Sequence, residues 1–180
     1  MKNDVGVIFV LVVSILFSGC SGSAEPEEAS DASLAKQISD RYLLAVEPER
    51  VLDVIAARES SVNNEEVVVV GRIGGGLKPF VDSMAAFQIV DNSLKACSDD
   101  TPVGEECGCD TPWDYCCEID KLPNAMAFIR FNDNQGNVHM FGAKSLFPVN
   151  ELSTVVVKGI ATRDDAGNLT ILADGIYVRN

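Results

Sequence analysis

The chain is poor in positive charge and in the residues of conventional catalysis. Lys and Arg number 14 against 27 Asp and Glu, for a net charge of −13. Such a surface repels phosphate backbones and anionic headgroups, because nucleic-acid binding rests on clustered Lys and Arg. It suits solubility, cations or a basic partner. The single histidine is His139. Any Ser-His-Asp arrangement would have to use it, yet it stands beside Met140 with no nucleophile motif near it. The glycine-rich stretch from Gly71 to Gly76 lacks the Gly-Lys-Ser/Thr ending of a phosphate loop and reads as a flexible turn. Asp164-Asp165 and Asn132-Asp133-Asn134 lack the spacing of a calcium loop. With no nucleophile and base in view, the expectation is that the protein is not an enzyme.

Long apolar runs are absent save one at the start. Val5 to Phe17 is shorter than the about 20 residues a membrane span needs, and it has the length of a signal-peptide apolar region. Lys2 precedes it, with Asp4 an unusual early acid. Phe17-Ser18-Gly19-Cys20 closes it and resembles the lipobox of bacterial lipoproteins, although Phe17 departs from the usual aliphatic residue. The resemblance implies that residues 1–19 are removed and that Cys20 carries the acyl chains. Each buried CH₂ contributes about 0.8 kcal/mol, and more than one chain anchors durably to a lipid bilayer. Ser21 rather than Asp follows the cysteine, which in a two-membrane cell favours the outer over the inner membrane, facing the periplasm. Residues 20–32 are small, polar and acidic and read as a disordered tether.

A helical lead-in is expected over residues 33–64. Ser33 caps a helix from Leu34 to about Val46, and Val51 to Arg58 forms a second. From Glu65 the pattern turns to β. Strands are expected at Val67–Ile73, Ala85–Asp91, Ala125–Phe131, Val138–Phe141, Thr154–Ala161 and Leu169–Val178. A helical turn is expected between Ser145 and Glu151. Glu66 to Ile73 parallels Ser153 to Ile160, and in both a glycine interrupts a valine run, as at a bend or bulge. Bent strand, hairpin, short helix, bent strand and final strand together look like an OB-fold, with a small β-sandwich as the alternative. The expected fold is therefore mainly β: an OB-like barrel of five to six strands over residues 65–180, split by a Cys-rich insertion at 92–124. Which middle segments serve as the second and third barrel strands is open from sequence.

Of six cysteines, Cys20 is spent on lipid and the other five lie in the insertion: Cys97, Cys107, Cys109, Cys116 and Cys117. Outside the cytoplasm cysteines usually form disulfides, but an odd number leaves one over. The insertion has too little apolar content to fold by burial alone, so something must cross-link it. Two disulfides from Cys116 and Cys117 to partners among Cys97, Cys107 and Cys109 are one solution, each contributing about 2–4 kcal/mol. A thiolate site for zinc or copper is the other, although Cys-x2-Cys spacing is absent. Trp113 and Tyr115, between the cysteines, could form a ligand platform or anchor the insertion to the barrel.

Several segments resemble a group of planctomycete lipoproteins. They are Tyr42-Leu43-Leu44, Val67 to Gly75, Lys78 to Val81, Ala86 to Asp91, Asn168 to Ala173, Tyr177 to Arg179 and, most specifically, Thr111-Pro112-Trp113-Asp114-Tyr115-Cys116-Cys117. The resemblance covers nearly the whole mature chain. It implies that Cys97, Cys109, Cys116 and Cys117 form the shared set, as two disulfides or one four-thiolate site, with Cys107 the odd cysteine peculiar to this sequence. It brings no activity with it. The expected role is a non-enzymatic binding or assembly module for a protein partner in the cell envelope. The alternative is a metal-binding or thiol-redox lipoprotein using the insertion. Nucleic-acid binding, which the fold suggests, is opposed by charge and compartment.

Overall fold

The computed structural model describes residues 25–100 and 108–179. The expected signal segment, residues 1–19, and Cys20 and Cys107 lie outside them. Helix α1 spans Glu25–Tyr42. It begins well before the expected start, so residues 25–32, assigned by composition to a tether, are helical. Their polarity argued against burial, but Glu and Ala are good helix formers and Pro26 falls in the first turn, where its missing N–H costs nothing. The helix ends at Tyr42 rather than near Val46, because Leu43 bridges to Ile176 and the Leu44 N–H donates to the Ile176 carbonyl at 2.8 Å. Among the described residues, no helix is long and apolar enough to cross a membrane.

Strand β1 (Leu52–Asp53) leads into α2 (Val54–Ser60), and β2 (Glu66–Ile73), β3 (Ala86–Val90), a short α3 (Leu122–Ala125), β4 (Met126–Arg130), α4 (Ala143–Leu146), β5 (Thr154–Arg163) and β6 (Leu169–Val178) follow. The β-branched run of β2 is long enough to serve two neighbours. Residues 66–72 pair antiparallel with β5, while Arg72 and Ile73 pair with Val90 and Ile89 of β3. β3 then pairs antiparallel with β4, β4 parallel with β6, and β6 antiparallel with β5. The circuit β2-β3-β4-β6-β5-β2 closes an OB-like barrel, and β1 adds a strand parallel to β2. The second and third barrel strands are thus 86–90 and 126–130. The remaining candidate, Val138–Phe141, is no strand. It makes one bridge, Asn132 to Val138, before the His139 carbonyl accepts the Ala85 N–H at 2.9 Å.

Gly159 sits at the register shift of β5 against β6, where a side chain would strike the backbone of Leu172 and Ala173. This is the close approach that a bulge in a bent strand requires. Inside, Val69, Phe87, Ile89, Ile129, Phe131, Val155, Val157, Ile171 and Ile176 are fully buried in one core, joined by Ile38 and Tyr42 of α1 and Leu146 of α4. The α4 turn begins two residues before the expected Ser145.

Candidate thiol site

The insertion leaves the barrel at Asp91, a buried carboxylate at the end of β3. Its oxygens accept the Ile55 N–H at 2.8 Å, the Ser93 N–H at 3.0 Å and the Ser93 hydroxyl at 2.6 Å. Ile55 lies in the first turn of α2, whose own N-cap Asp53 makes no side-chain cap, so Asp91 satisfies a helix N–H from another element. Burial raises its carboxyl, but these bonds outweigh burial and hold it below the usual carboxylate range.

The insertion then builds a small core of its own. Leu94, Ala96, Tyr115 and Leu122 bury themselves with Val90 and Ala125, and Ile55, Met126 and Leu152 pack against them. These side chains are buried against apolar surface supplied by β3, β4 and α2. Tyr115 is fully buried. It fills a slot that exists because position 74 is glycine: a Cβ there would stand 2.8 Å from its ring. Trp113 is partly buried and its indole N–H donates to the Leu77 carbonyl at 3.2 Å. These two residues therefore anchor the insertion, and Tyr115 offers no exposed face as a platform.

Further bonds place the first cysteine. The Cys97 N–H donates to the Asp114 carbonyl at 2.8 Å and the Ser98 N–H to the Pro112 carbonyl at 3.1 Å. Asp99 takes both Arg72 guanidinium nitrogens, at 2.5 and 3.1 Å, which ties the turn Cys97–Asp100 to β2. The fork geometry and its partial burial make it more than a loose surface pair. Sequence reading missed Arg72, Asp99 and Gly74. Asp91-Asn92-Ser93 carried a turn signal that could have identified Asp91.

The result brings Cys97, Cys109 and Cys116 together, their sulfurs all within 4.8 Å of one another. Cys97 and Cys116 stand Sγ to Sγ at 2.8 Å, and Cys117 Sγ lies 3.9 Å from Cys116 Sγ. No disulfide at bonding distance occurs among these four. Cys97 and Cys109 are partly buried, Cys116 and Cys117 exposed. Hydrogen bonding with Cys97, and the charge Cys97 would carry, push the Cys109 thiol up to about 12. The Cys97 thiol is raised by its bond to Cys116 and by burial. Clustered thiols resist becoming clustered thiolates, and a bound cation or oxidation removes that conflict. The cluster is chemically fit to hold a metal ion.

The other candidates stay apart. His139 makes an edge-on contact with Tyr42, its Nε2 is 3.3 Å from the Tyr42 hydroxyl, and burial lowers its pKa. It is no part of the thiol group. Asp133 and Asp164 are turn residues, each accepting backbone N–H bonds within its own turn. No family model matches the chain, and no curated protein matches its sequence.

Proposed function

We propose that this protein is a non-enzymatic envelope lipoprotein, anchored through Cys20, that holds a soft metal ion, Zn²⁺ or Cu(I), on Cys97, Cys109 and Cys116 with Cys117 as fourth donor. The observation that carries it is the convergence of three sulfurs within 4.8 Å. Two points support it. The insertion packs Leu94, Ala96, Tyr115 and Leu122 into a core with no disulfide at bonding distance among the described cysteines. The donors are all thiols, which suit these two ions above harder ones. Tetrahedral zinc, with Zn–S near 2.3 Å, sets sulfurs about 3.8 Å apart. The Cys97–Cys116 pair, at 2.8 Å, would open by about 1 Å, and Cys117, 3.9 Å from Cys116 but outside the three-sulfur group, would move in as fourth donor. The lipobox and planctomycete resemblances support the anchor and the choice of these four cysteines over Cys107.

Zinc titration of the reduced full-length protein in detergent, against a competing chelator, tests the reading. Cys97→Ser, Cys109→Ser and Cys116→Ser are each expected to weaken binding at least tenfold, roughly 1.4 kcal/mol, and Cys107→Ser to leave it unchanged. Binding must expel the Cys109 proton, held to about 12, so affinity falls as pH falls. Intact mass of the native protein showing two disulfides and no metal would overturn the metal reading, and absence of acyl mass on Cys20 would overturn the anchor.

A second reading is a binding or assembly module for a protein partner in the envelope. It is favoured by a cleft of about 360 Å³ walled by Arg58, Gln88, Met126, Phe128 and Leu169. Arg58 there donates to the Met126 carbonyl at 2.9 Å. Envelope crosslinks from a photoreactive group at Phe128 that vanish in Arg58→Glu would support it, and their persistence would count against it.

A further inference from the structure

The proposed metal site is also built to be switched. Cys97 and Cys116 stand Sγ to Sγ at 2.8 Å, only about 0.8 Å beyond a disulfide bond length. Their backbones are held from both sides. Cys97 N–H bonds Asp114 O at 2.8 Å, the Glu118 N–H bonds Tyr115 O at 2.8 Å, and Tyr115, next to Cys116, is fully buried. The Arg72–Asp99 fork fixes the turn that carries Cys97. The sulfurs that would bond are already in contact, and they lie on the insertion rather than on a barrel strand. A bond between adjacent Cys116 and Cys117 starts from 3.9 Å and would need a strained ring, which leaves Cys109, whose thiol also bonds Cys97, as the competing partner. The Cys97 and Cys116 sulfurs are two of the three that converge on one point, so one atom pair cannot serve both states.

We infer that the thiol site is a redox-gated metal site, in which a Cys97–Cys116 disulfide and a bound soft metal ion exclude each other. The inference rests on the metal reading above. The oxidant is a disulfide, R–S–S–R, on a small molecule or on a thiol oxidoreductase. One protein thiolate attacks it, forming a mixed disulfide and releasing RS⁻. The second thiolate attacks the protein sulfur of that mixed disulfide, forming Cys97–S–S–Cys116 and releasing the second RS⁻. Two electrons pass from the cysteine pair to the oxidant. The metal ion, left with Cys109 and Cys117, departs with its charge unchanged when it is zinc. A thiol reductant reverses each step.

The test uses full-length protein in detergent, loaded with Zn²⁺ under reducing conditions, freed of reductant and titrated with oxidised glutathione. A chromogenic chelator reads released zinc and peptide mapping locates the bond. The expected result is release in step with the Cys97–Cys116 disulfide, recovery of zinc binding on addition of dithiothreitol, and the same behaviour in Cys107→Ser. Formation of that disulfide with zinc retained overturns the inference and leaves the metal site standing. So does zinc release with the bond mapped to another pair. Failure of the reduced protein to load either zinc or, under anaerobic conditions, Cu(I) overturns both readings.

Discussion

In the barrel, five strands close on themselves, and Phe87, Ile129, Phe131, Val157 and Ile171 share one continuous core. In the insertion, Leu94, Ala96, Tyr115, Leu122 and Ala125 at the end of α3 make a separate small core with Val90 of β3. There the backbone is held by single bonds such as Cys97 N–H to Asp114 O rather than by a ladder. A ladder fails as a unit, whereas single bonds open locally at lower cost. The reactive groups lie on the second kind of structure. On the proposal above, the thiols exchange a metal for a bond with each other, which needs small movements that local opening of the insertion would allow while the barrel stays closed. The comparison predicts that mutations rank by how far they reach into the shared core.

The largest effect belongs to Phe131→Ala. Phe131 is fully buried and its ring packs against Tyr42, Phe87 and Phe147. Truncation should cost about 3–5 kcal/mol, read by denaturant unfolding. Because the small core borrows Val90 of β3 and packs against Met126 of β4, the insertion should lose exchange protection in the same transition. An insertion that stays protected after the barrel melts would break the comparison.

Asp91 joins the two regions. Asp91→Ala strands the Ile55 and Ser93 donors and should cost about 1–3 kcal/mol. Its carboxyl is held below its ordinary value. The contribution is therefore complete above the unfolded carboxyl value of about 3.9 and is lost as pH falls through the lower folded value. The wild type should lose stability on that acid limb more steeply than Asp91→Ala. Parallel acid limbs would show that Asp91 does not bind the regions together through its charge.

The barrel class was readable because Val67–Ile73 and Thr154–Ala161 are β-branched runs broken by glycine, as in bent strands that pair on two sides, but the second and third strands were not. Val138–Phe141 misled because alternation reports a face and not a partner. Its neighbours were already committed, with Phe131 taking the His139 N–H and Ala85 the His139 carbonyl. The cysteines stood out by type, but their convergence did not, since it depends on Asp114 meeting Cys97 and on Arg72 meeting Asp99 across 27 residues. No local period encodes such pairs. The depth of Tyr115 was hidden for a related reason: the slot belongs to Gly74, on the far side of the barrel strand β3 in sequence.

The smallest effect on stability should come from Asp99→Asn, and it sharpens the comparison most. The ion pair with Arg72 is partly exposed, with side-chain exposures of 29% and 21%, so solvent screens much of its Coulomb energy and its loss should cost about 1 kcal/mol or less. Asparagine keeps an oxygen for the Ala96 N–H, which donates to Asp99 at 2.9 Å, so the turn retains its shape and loses its tether to β2. Global unfolding should scarcely move. The Cys97 sulfur, set by that turn, should lose its fixed distance to Cys116. Zinc affinity should fall several-fold, on the order of 1 kcal/mol, and disulfide closure should slow. If stability and zinc binding both stay unchanged, the backbone bonds to Asp114 and Pro112 suffice to place Cys97, and the insertion is self-contained. If stability falls as far as in Asp91→Ala, the two regions form a single cooperative unit, and thiol chemistry cannot proceed without disturbing the barrel.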